Sequence, residues 1–518
     1  MGNLNRRKFL QAGSALLAPK LGQPSAEGGT PNILIIFTDQ LRFDCLGANG
    51  NRIIKTPNLD RLASGAANFT SAYVQAAVCV PSRISYLTGR YPHSHKNRVN
   101  YTPCDPSEVM MQRILSAHGY QTGSVGKLHF YPPTAEHARS TGFDKVFLDD
   151  GVQTTDPYSD YVRWRKAHDP AFDVSIYVPA QDIAAGKNPF RSAVPYEYTP
   201  TFWTGMQTVQ LLREFSTSPK PFFLYSSFFK PHSPFVLPSP YDAMYDGVEI
   251  PLPQAVTLDD IQKLPLPVQK QIGRSRTYDI DRARLQWMYR SYYAAVSMVD
   301  HEVGLILDEL ERSGKAENTI VVFATDHGDQ LGEHGLEGKN VLFEGSVHIP
   351  MMVRFPNRVA PGKYSQLIGA VDVLPSLLDL CGLPVAENIQ GQSFAPLITG
   401  NPGRYTARET IFCENIIPEV FAPPNRIGTK VYHPFEPGRG EDGTLHPDAK
   451  MARTNRWKLN YYPSCDGELY DLENDPGETR NLWSDPNCAD VLRTLKKAIL
   501  DWLITADQND QIAPHWLV

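Results

Sequence analysis

Ile33-Leu34-Ile35-Ile36-Phe37-Thr38-Asp39-Gln40 joins five consecutive apolar residues to a hydroxyl, an acid and an amide. The run has no polar interruption, so it is not a strand with one wet face. An unbroken stretch of this length, rich in isoleucine, suits a strand buried on both faces, as in a parallel α/β sheet. Phe222-Phe223-Leu224-Tyr225 and Ile320-Val321-Val322-Phe323 repeat the pattern, and Gln121 to Val125 is a weaker copy. Helical periodicity lies between these runs. Its clearest stretch goes from about Leu285 to Ser313, with Met288, Tyr292, Val296, Val299 and Val303 at three- and four-residue steps and Gly314 as the stop. The expected fold class is α/β, with a large, mostly parallel central sheet flanked by helices.

Working outward, 518 residues exceed what one hydrophobic core usually organises, so two domains are expected. After Gly400 the chain becomes richer in Pro, Gly, Asn and charge. It holds short strand-like pieces such as Trp457 to Tyr462 and closes with a helical stretch, Ala489 to Thr505. The boundaries read as 31–400 for a catalytic domain and 401–518 for a smaller C-terminal α+β domain. Residues 1–30 stand apart. Asn5-Arg6-Arg7-Lys8-Phe9-Leu10, followed by a mildly apolar stretch, resembles a twin-arginine export signal with a linker behind it. That places the protein in the periplasm or outside the cell; if the segment is only a basic tail, the protein is cytoplasmic. A net charge of −6 gives no basic excess for nucleic acid, and no apolar run is long enough for a transmembrane segment. The seven cysteines are scattered without a CxxC pair, which argues against a zinc knuckle or a dense disulfide framework.

The residues just past each strand carry the chemistry. The ends deliver Thr38-Asp39-Gln40, Gly126-Lys127-Leu128-His129, Phe229-Lys230-Pro231-His232 and Thr325-Asp326-His327-Gly328. In open α/β sheets ligands bind beyond the carboxyl ends of the strands. An Asp after a strand is ordinarily a turn or a helix cap. Four such ends carrying acids, lysines and histidines to one sheet edge point instead to a site.

Cys79-Val80-Pro81-Ser82-Arg83, continued by Ile-Ser-Tyr-Leu-Thr-Gly, resembles the type I sulfatase signature of the alkaline phosphatase superfamily. The resemblance runs from Asn32 through Thr56-Pro57-Asn58-Leu59-Asp60-Arg61-Leu62 to Leu469-Tyr470-Asp471-Leu472 and Asn481-Leu482. It implies that a maturation enzyme oxidises Cys79 to formylglycine. One hydroxyl of the hydrated aldehyde then attacks sulfur, and the other is deprotonated to expel sulfate. It further implies Asp39, Gln40, Asp326 and His327 as ligands of a divalent metal. Calcium is favoured; the imidazole and amide keep Mn2+, Zn2+, Mg2+ and iron as alternatives. Arg83 and Lys127 would hold the charge of formylglycine and sulfate. His129 would take the proton of the second hydroxyl, and His232 and Lys339 would stabilise or protonate the leaving oxygen. The residues after Cys79 read as a helix whose N-terminus favours a bound anion.

Tyr91-Pro92-His93-Ser94-His95-Lys96-Asn97-Arg98 comes after the signature, and His93, His95 and Arg98 are candidate substrate-binding residues, with a solvated basic loop as the competing reading. The long irregular stretches Tyr158 to Trp203 and Glu414 to Lys450 are candidates for specificity. The expected activity is hydrolysis of sulfate esters, on a sulfated small molecule or glycan. The alternatives are a phosphonate monoester or phosphodiester hydrolase or a choline sulfatase-like enzyme of the same superfamily, and, in another class, an inactive sulfated-glycan binder.

Overall fold

A computed structural model describes residues 29–100, 102–150, 158–169, 190–275, 280–416, 448–463 and 465–510. The expected export signal and much of both irregular stretches lie outside these residues.

The first quoted run is the middle of the molecule. Asn32–Asp39 (β1) is buried from end to end and pairs in parallel with Phe222–Pro231 (β5) and Thr319–Thr325 (β6), Ile33 lying opposite both Phe223 and Ile320. The other strands of this sheet are Ala67–Tyr73 (β2), Gln121–Gly126 (β3), Lys145–Leu148 (β4), His348–Arg354 (β7), Gly362–Tyr364 (β8) and Ile368–Gly369 (β9). Their order is β4-β3-β5-β1-β6-β7-β2-β8, with β9 beside β2. Among the described strands only β7 runs against the rest.

The missing alternation has a structural cause. Ile33, Ile35 and Phe37 belong to the core on one face of the sheet, and Leu34 and Ile36 to the core on the other. Both faces are dry, so every position must be apolar, and each such side chain contributes roughly 2 kcal/mol on burial. The helix Cys79–Thr88 packs on the first face through Val80, Ile84 and Leu87. The long helix Arg282–Arg312 covers the second. It starts three residues before the sequence expectation because the Asp281 carboxylate caps it, accepting from the N–H groups of Ala283 and Arg284.

A second, antiparallel sheet comprises Ile411–Ile416 (β10), Asp448–Arg453 (β11), Trp457–Tyr461 (β12) and Glu468–Asp471 (β13), in that order. The helix Ala489–Asp510 shares a core with it through Leu495, Ile499 and Trp502. A buried Lys458 ties this sheet to the large domain, reaching Glu344 at 3.0 Å as well as Glu478 at 2.8 Å.

The topology decides where the chemistry sits. β3, β5, β1 and β6 are consecutive neighbours and mutually parallel. Lys127, His232, Asp39 and Asp326 follow or end these four strands, so they emerge on one edge.

Candidate active site

The nucleophile candidate is the first residue of a helix. Val78 is extended, Cys79 opens the helix, and Gly89 closes it in the left-handed conformation at φ 66°. Two side chains pin this helix to the end of β6. Ser82 Oγ donates to the Asp326 carbonyl at 2.5 Å, and Tyr86 donates to the Thr325 carbonyl at 3.0 Å. Cys79 is thereby set at the positive end of a helix dipole, over the strand ends.

Asp39, Cys79, Asp326 and His327 form one fully buried group whose donor atoms all lie within 4.8 Å of one another. Cys79 Sγ is 3.2 Å from His327 Nε2, which is 3.6 Å from Asp326 Oδ1 and 3.8 Å from Asp39 Oδ1. His327 Nδ1 donates to the Gly328 carbonyl at 2.9 Å, which fixes the ring with Nε2 turned toward Cys79 and the carboxylates. Asp39 Oδ1 is buried without a hydrogen-bond partner among the described residues. A buried carboxylate oxygen is rarely left so, and a divalent cation is what this cluster of two carboxylates and an imidazole would satisfy. The donor set therefore fits the metal that the sequence implied. Gln40 adjoins this group. Its backbone N–H donates to Asp326 Oδ1 at 3.1 Å, while its side-chain oxygen accepts from Lys339 at 2.6 Å.

The cations around the carboxylates are as buried as the carboxylates. Arg83 Nε donates to Asp326 Oδ2 at 2.8 Å and Nη2 lies 3.4 Å from Asp39 Oδ2. Its Nη1 donates to the Lys127 carbonyl at 2.7 Å and to Ser227 Oγ at 2.9 Å. Lys127 Nζ donates to Asp39 Oδ2. Burial would push the Asp39 carboxyl up, but Lys127, with Lys339 and Arg83, holds it well below the usual range. Asp326 stays above its ordinary value through burial and the charge of Asp39. Burial and Asp39 also push the Cys79 thiol up, and Lys339, Lys127 and His327 reverse this and bring it well below a free thiol.

His232 and Lys339 meet on the open side. Lys339 Nζ is 2.7 Å from His232 Nε2, and His232 Nδ1 donates to the Ser233 carbonyl at 2.6 Å. Nε2 is therefore an acceptor for the ammonium. Burial and then Lys339 hold the His232 ring well below the ordinary histidine value, so it is neutral. Both line a cleft of about 360 Å³ with Gln40, Gln271, Glu337 and Asn340. His129 follows Lys127 in a left-handed turn at φ 58°, its N–H donating to Asp150 Oδ1 at 2.9 Å.

The structure gives several of the expected site residues partners of their own. The Arg83 guanidinium holds the two carboxylates, a strand carbonyl and a serine. The Tyr91–Arg98 segment does not join the cluster. His95 is fully buried, with Nε2 3.0 Å from Ser85 Oγ and Nδ1 accepting from Asn97 N–H at 3.2 Å. His93 Nδ1 pairs with Glu414 at 2.7 Å, and Arg98 pairs with Asp448 at 2.6 Å. Glu414 also takes Lys450, so these contacts fasten the loop to β10 and β11. Burial pushes the Glu414 carboxyl up, but Lys450, His93 and Arg98 outweigh it and hold it below the usual range. Sequence reasoning missed Ser227 and Asp329. The first comes directly after the apolar run of β5 and the second lies two residues past His327, so position relative to those runs was the available signal.

The sulfatase family model matches residues 31–383. An arylsulfatase of Clostridium perfringens is 30% identical over 91% of this chain and 94% of its own length. A choline-sulfatase of Rhizobium meliloti is 29% identical over 94% of this chain and 87% of its own. Among solved structures, the phosphonate monoester hydrolase of Agrobacterium radiobacter superposes with a TM-score of 0.77 at 24% identity, covering 92% of this chain and 96% of the other; this likeness speaks for the fold.

Proposed function

From the premise that the chain belongs to the sulfatase family of sulfuric ester hydrolases, we propose that it cleaves sulfate monoesters of a carbohydrate-type alcohol with formylglycine made from Cys79. The observation that carries this reading is the convergence of Cys79, at a helix N-terminus, with Asp39, Asp326 and His327. Formylglycine supplies a hydroxyl nucleophile on a carbon that can later collapse back to the aldehyde. A divalent ion held by Asp39, Asp326 and His327, with Gln40 adjacent, supplies Lewis acidity toward a sulfate oxygen. Calcium is the first choice and Mn2+, Zn2+ or Mg2+ the alternatives.

The chain's own residues do the rest. Arg83 and Lys127 keep two buried aspartates ionised side by side. The helix dipole at residue 79 favours the anionic substrate. Lys339 donates the proton that the leaving oxygen needs, and neutral His232, already accepting from Lys339, holds that ammonium in line. His129 takes the proton of the second hydroxyl. Export through residues 1–30, a periplasmic or secreted location, a maturation enzyme acting on Cys79, and the domain limits 31–400 and 401–518 belong to the same proposal.

The test has two parts. Mass analysis of the peptide holding position 79, from protein made beside a maturation enzyme, should give the aldehyde in place of the thiol. Rates on 4-nitrophenyl sulfate should exceed those on a phenyl phosphonate monoester. Active protein with an unmodified thiol would overturn the nucleophile, and the reverse rate order would favour the phosphonate hydrolase reading.

A further inference from the structure

We propose that Glu337 sets the charge selectivity of the leaving-group cleft: the enzyme takes sulfate esters of neutral, hydroxyl-bearing or cationic alcohols and discriminates against an alcohol with a second negative charge. The inference deepens the sulfate-ester reading above and rests on it. Glu337 lines the cleft of about 360 Å³ that His232 and Lys339 also line. It is two residues before Lys339, so its Cα lies within about 7 Å of the Lys339 Cα. A substituent on the leaving alcohol therefore comes within reach of Glu337 while the leaving oxygen is at Lys339.

What marks Glu337 is that its charge is unanswered. It is half-buried, and among the described residues its carboxylate makes no hydrogen bond and no ion pair. Burial pushes the carboxyl above its ordinary value, the charge of Asp329 adds to this, and exposed Arg284 offsets it only in part. Other acids of the same stretch differ. Glu333 takes Arg42 at 2.7 Å, and Glu344 takes Lys458 at 3.0 Å. A half-buried carboxylate with nothing to accept from is costly, and a ligand that brings a donor relieves the cost.

The rest of the lining suits a polar leaving group. Ser233, Gln271 and Asn340 offer a hydroxyl and two amides, each able to donate and accept, and Leu336 is the apolar member. Such groups pair with alcohol hydroxyls, but they do not choose between charges. Glu337 does. A hydroxyl on the leaving alcohol donates to its carboxylate and an ammonium is attracted to it, whereas a carboxylate or second sulfate meets it charge against charge. The Lys339 ammonium does not cancel this, because it serves the leaving oxygen itself.

The experiment compares kcat/KM of wild type, Glu337→Gln and Glu337→Lys, as mature, metal-loaded protein at pH 8, on three phenyl sulfates. These carry a trimethylammonium, a hydroxymethyl or a carboxylate group at the meta position. Each leaving group has the same intrinsic reactivity in all three proteins, so the informative quantity is the ratio of the ammonium to the carboxylate substrate. Relative to wild type, Glu337→Gln should lower that ratio about 10-fold or more, and Glu337→Lys about 100-fold or more, the effect of removing or reversing one half-screened charge. The hydroxymethyl substrate should change less than about threefold in Glu337→Gln, which keeps an acceptor. Melting temperatures should stay near wild type, since the carboxylate has no partner to lose. A ratio equal in the three proteins overturns the inference, as does an equal loss on all three substrates. Should Glu337→Lys not fold, Glu337→Gln decides alone by the same ratio. Wild-type protein inert on all three esters removes the sulfate-ester reading and the inference with it; activity with an unchanged ratio removes the inference only.

Discussion

Lowering the pH from 7 to 5 should cost the fold about 2 kcal/mol through His95 alone, and the figure comes from the surroundings of one ring. His95 is fully buried. Its Nδ1 accepts from Asn97 N–H at 3.2 Å, so that nitrogen carries no proton, and Nε2–H donates to Ser85 Oγ at 3.0 Å. A second proton would have to enter at Nδ1, against another donor and away from water. Burial is the main cause, opposed by Glu414 and aided by Arg90 and His93, and it brings the ring down to about 3. The unfolded imidazole titrates near 6.5. His95 is thus a base whose folded value is depressed. As pH falls, the unfolded chain takes the proton first and the folded chain does not until about 3. Stability present above about 6.5 is therefore lost progressively below it. At pH 5 the gap is about 1.5 pH units, and each unit is worth about 1.4 kcal/mol. The assay is thermal melting of wild type and His95→Gln at pH 7 and pH 5. Other groups titrate in both proteins, so the informative quantity is the difference of the two differences. Wild type should lose more than the variant by a few degrees. An equal drop in both would mean that His95 either accepts a proton while folded or is not sealed from water.

Cys79→Ala should abolish turnover of aryl sulfates while leaving the melting temperature close to wild type; wild-type activity in that variant would remove Cys79 from the mechanism. Chelation should lower both activity and melting temperature, because an ion bound only by the folded state stabilises it; elemental analysis of active protein finding no stoichiometric divalent metal would refute the site. Lys339→Ala and His232→Ala should each lose far more on a sugar sulfate than on 4-nitrophenyl sulfate, about 10²–10⁴-fold for a lost proton donor, and the double loss should fall well short of the product because the two groups touch. Arg83→Met should destabilise the protein by about 3–5 kcal/mol, the cost of leaving a buried carboxylate without its cation; denaturant titration giving less than about 1 kcal/mol would show that water or a metal already serves Asp326.

The sheet was legible because burial on both faces writes a run without alternation, and β1, β5 and β6 all carry it. The strand-end residues were legible for a related reason. A polar residue directly after such a run has no core to enter and must be at the edge, where Asp39, Lys127 and Asp326 are found. The roles of particular side chains were less legible, because they depend on which atom faces which. Arg83 belongs to a motif associated with an anion, yet the geometry turns it to Asp326, Lys127 and Ser227. His95 and Arg98 are substrate candidates in the sequence because they are basic and come after the signature. Only the tertiary pairing with Ser85 and, 350 residues along the chain, with Asp448 reveals a core histidine and an interdomain fastening. The small sheet was visible as strand-like pieces, but its attachment through Lys458, a residue buried completely between two glutamates, has no sequence signal.

These placements change how the charge of the site is understood. Two aspartates side by side in a dry site repel each other, and each raises the cost of ionising the other. Arg83 answers Asp326 and Lys127 answers Asp39, so the four charges balance before any ligand arrives. Each cation thus already holds a carboxylate. Whatever positive charge a bound metal brings, together with the helix dipole at Cys79 and the ammonium of Lys339, is left for the sulfate group and the developing negative charge on the leaving oxygen. On this division of labour, removing Arg83 harms the fold and the metal site first and catalysis through them, whereas removing Lys339 harms catalysis with little effect on the fold. A lysine substituted at 83 keeps the charge but cannot span Asp326, the Lys127 carbonyl and Ser227 together, because it lacks the planar fork of donors. Charge alone therefore does not account for arginine at this position; three acceptors on or just beyond three different strands do.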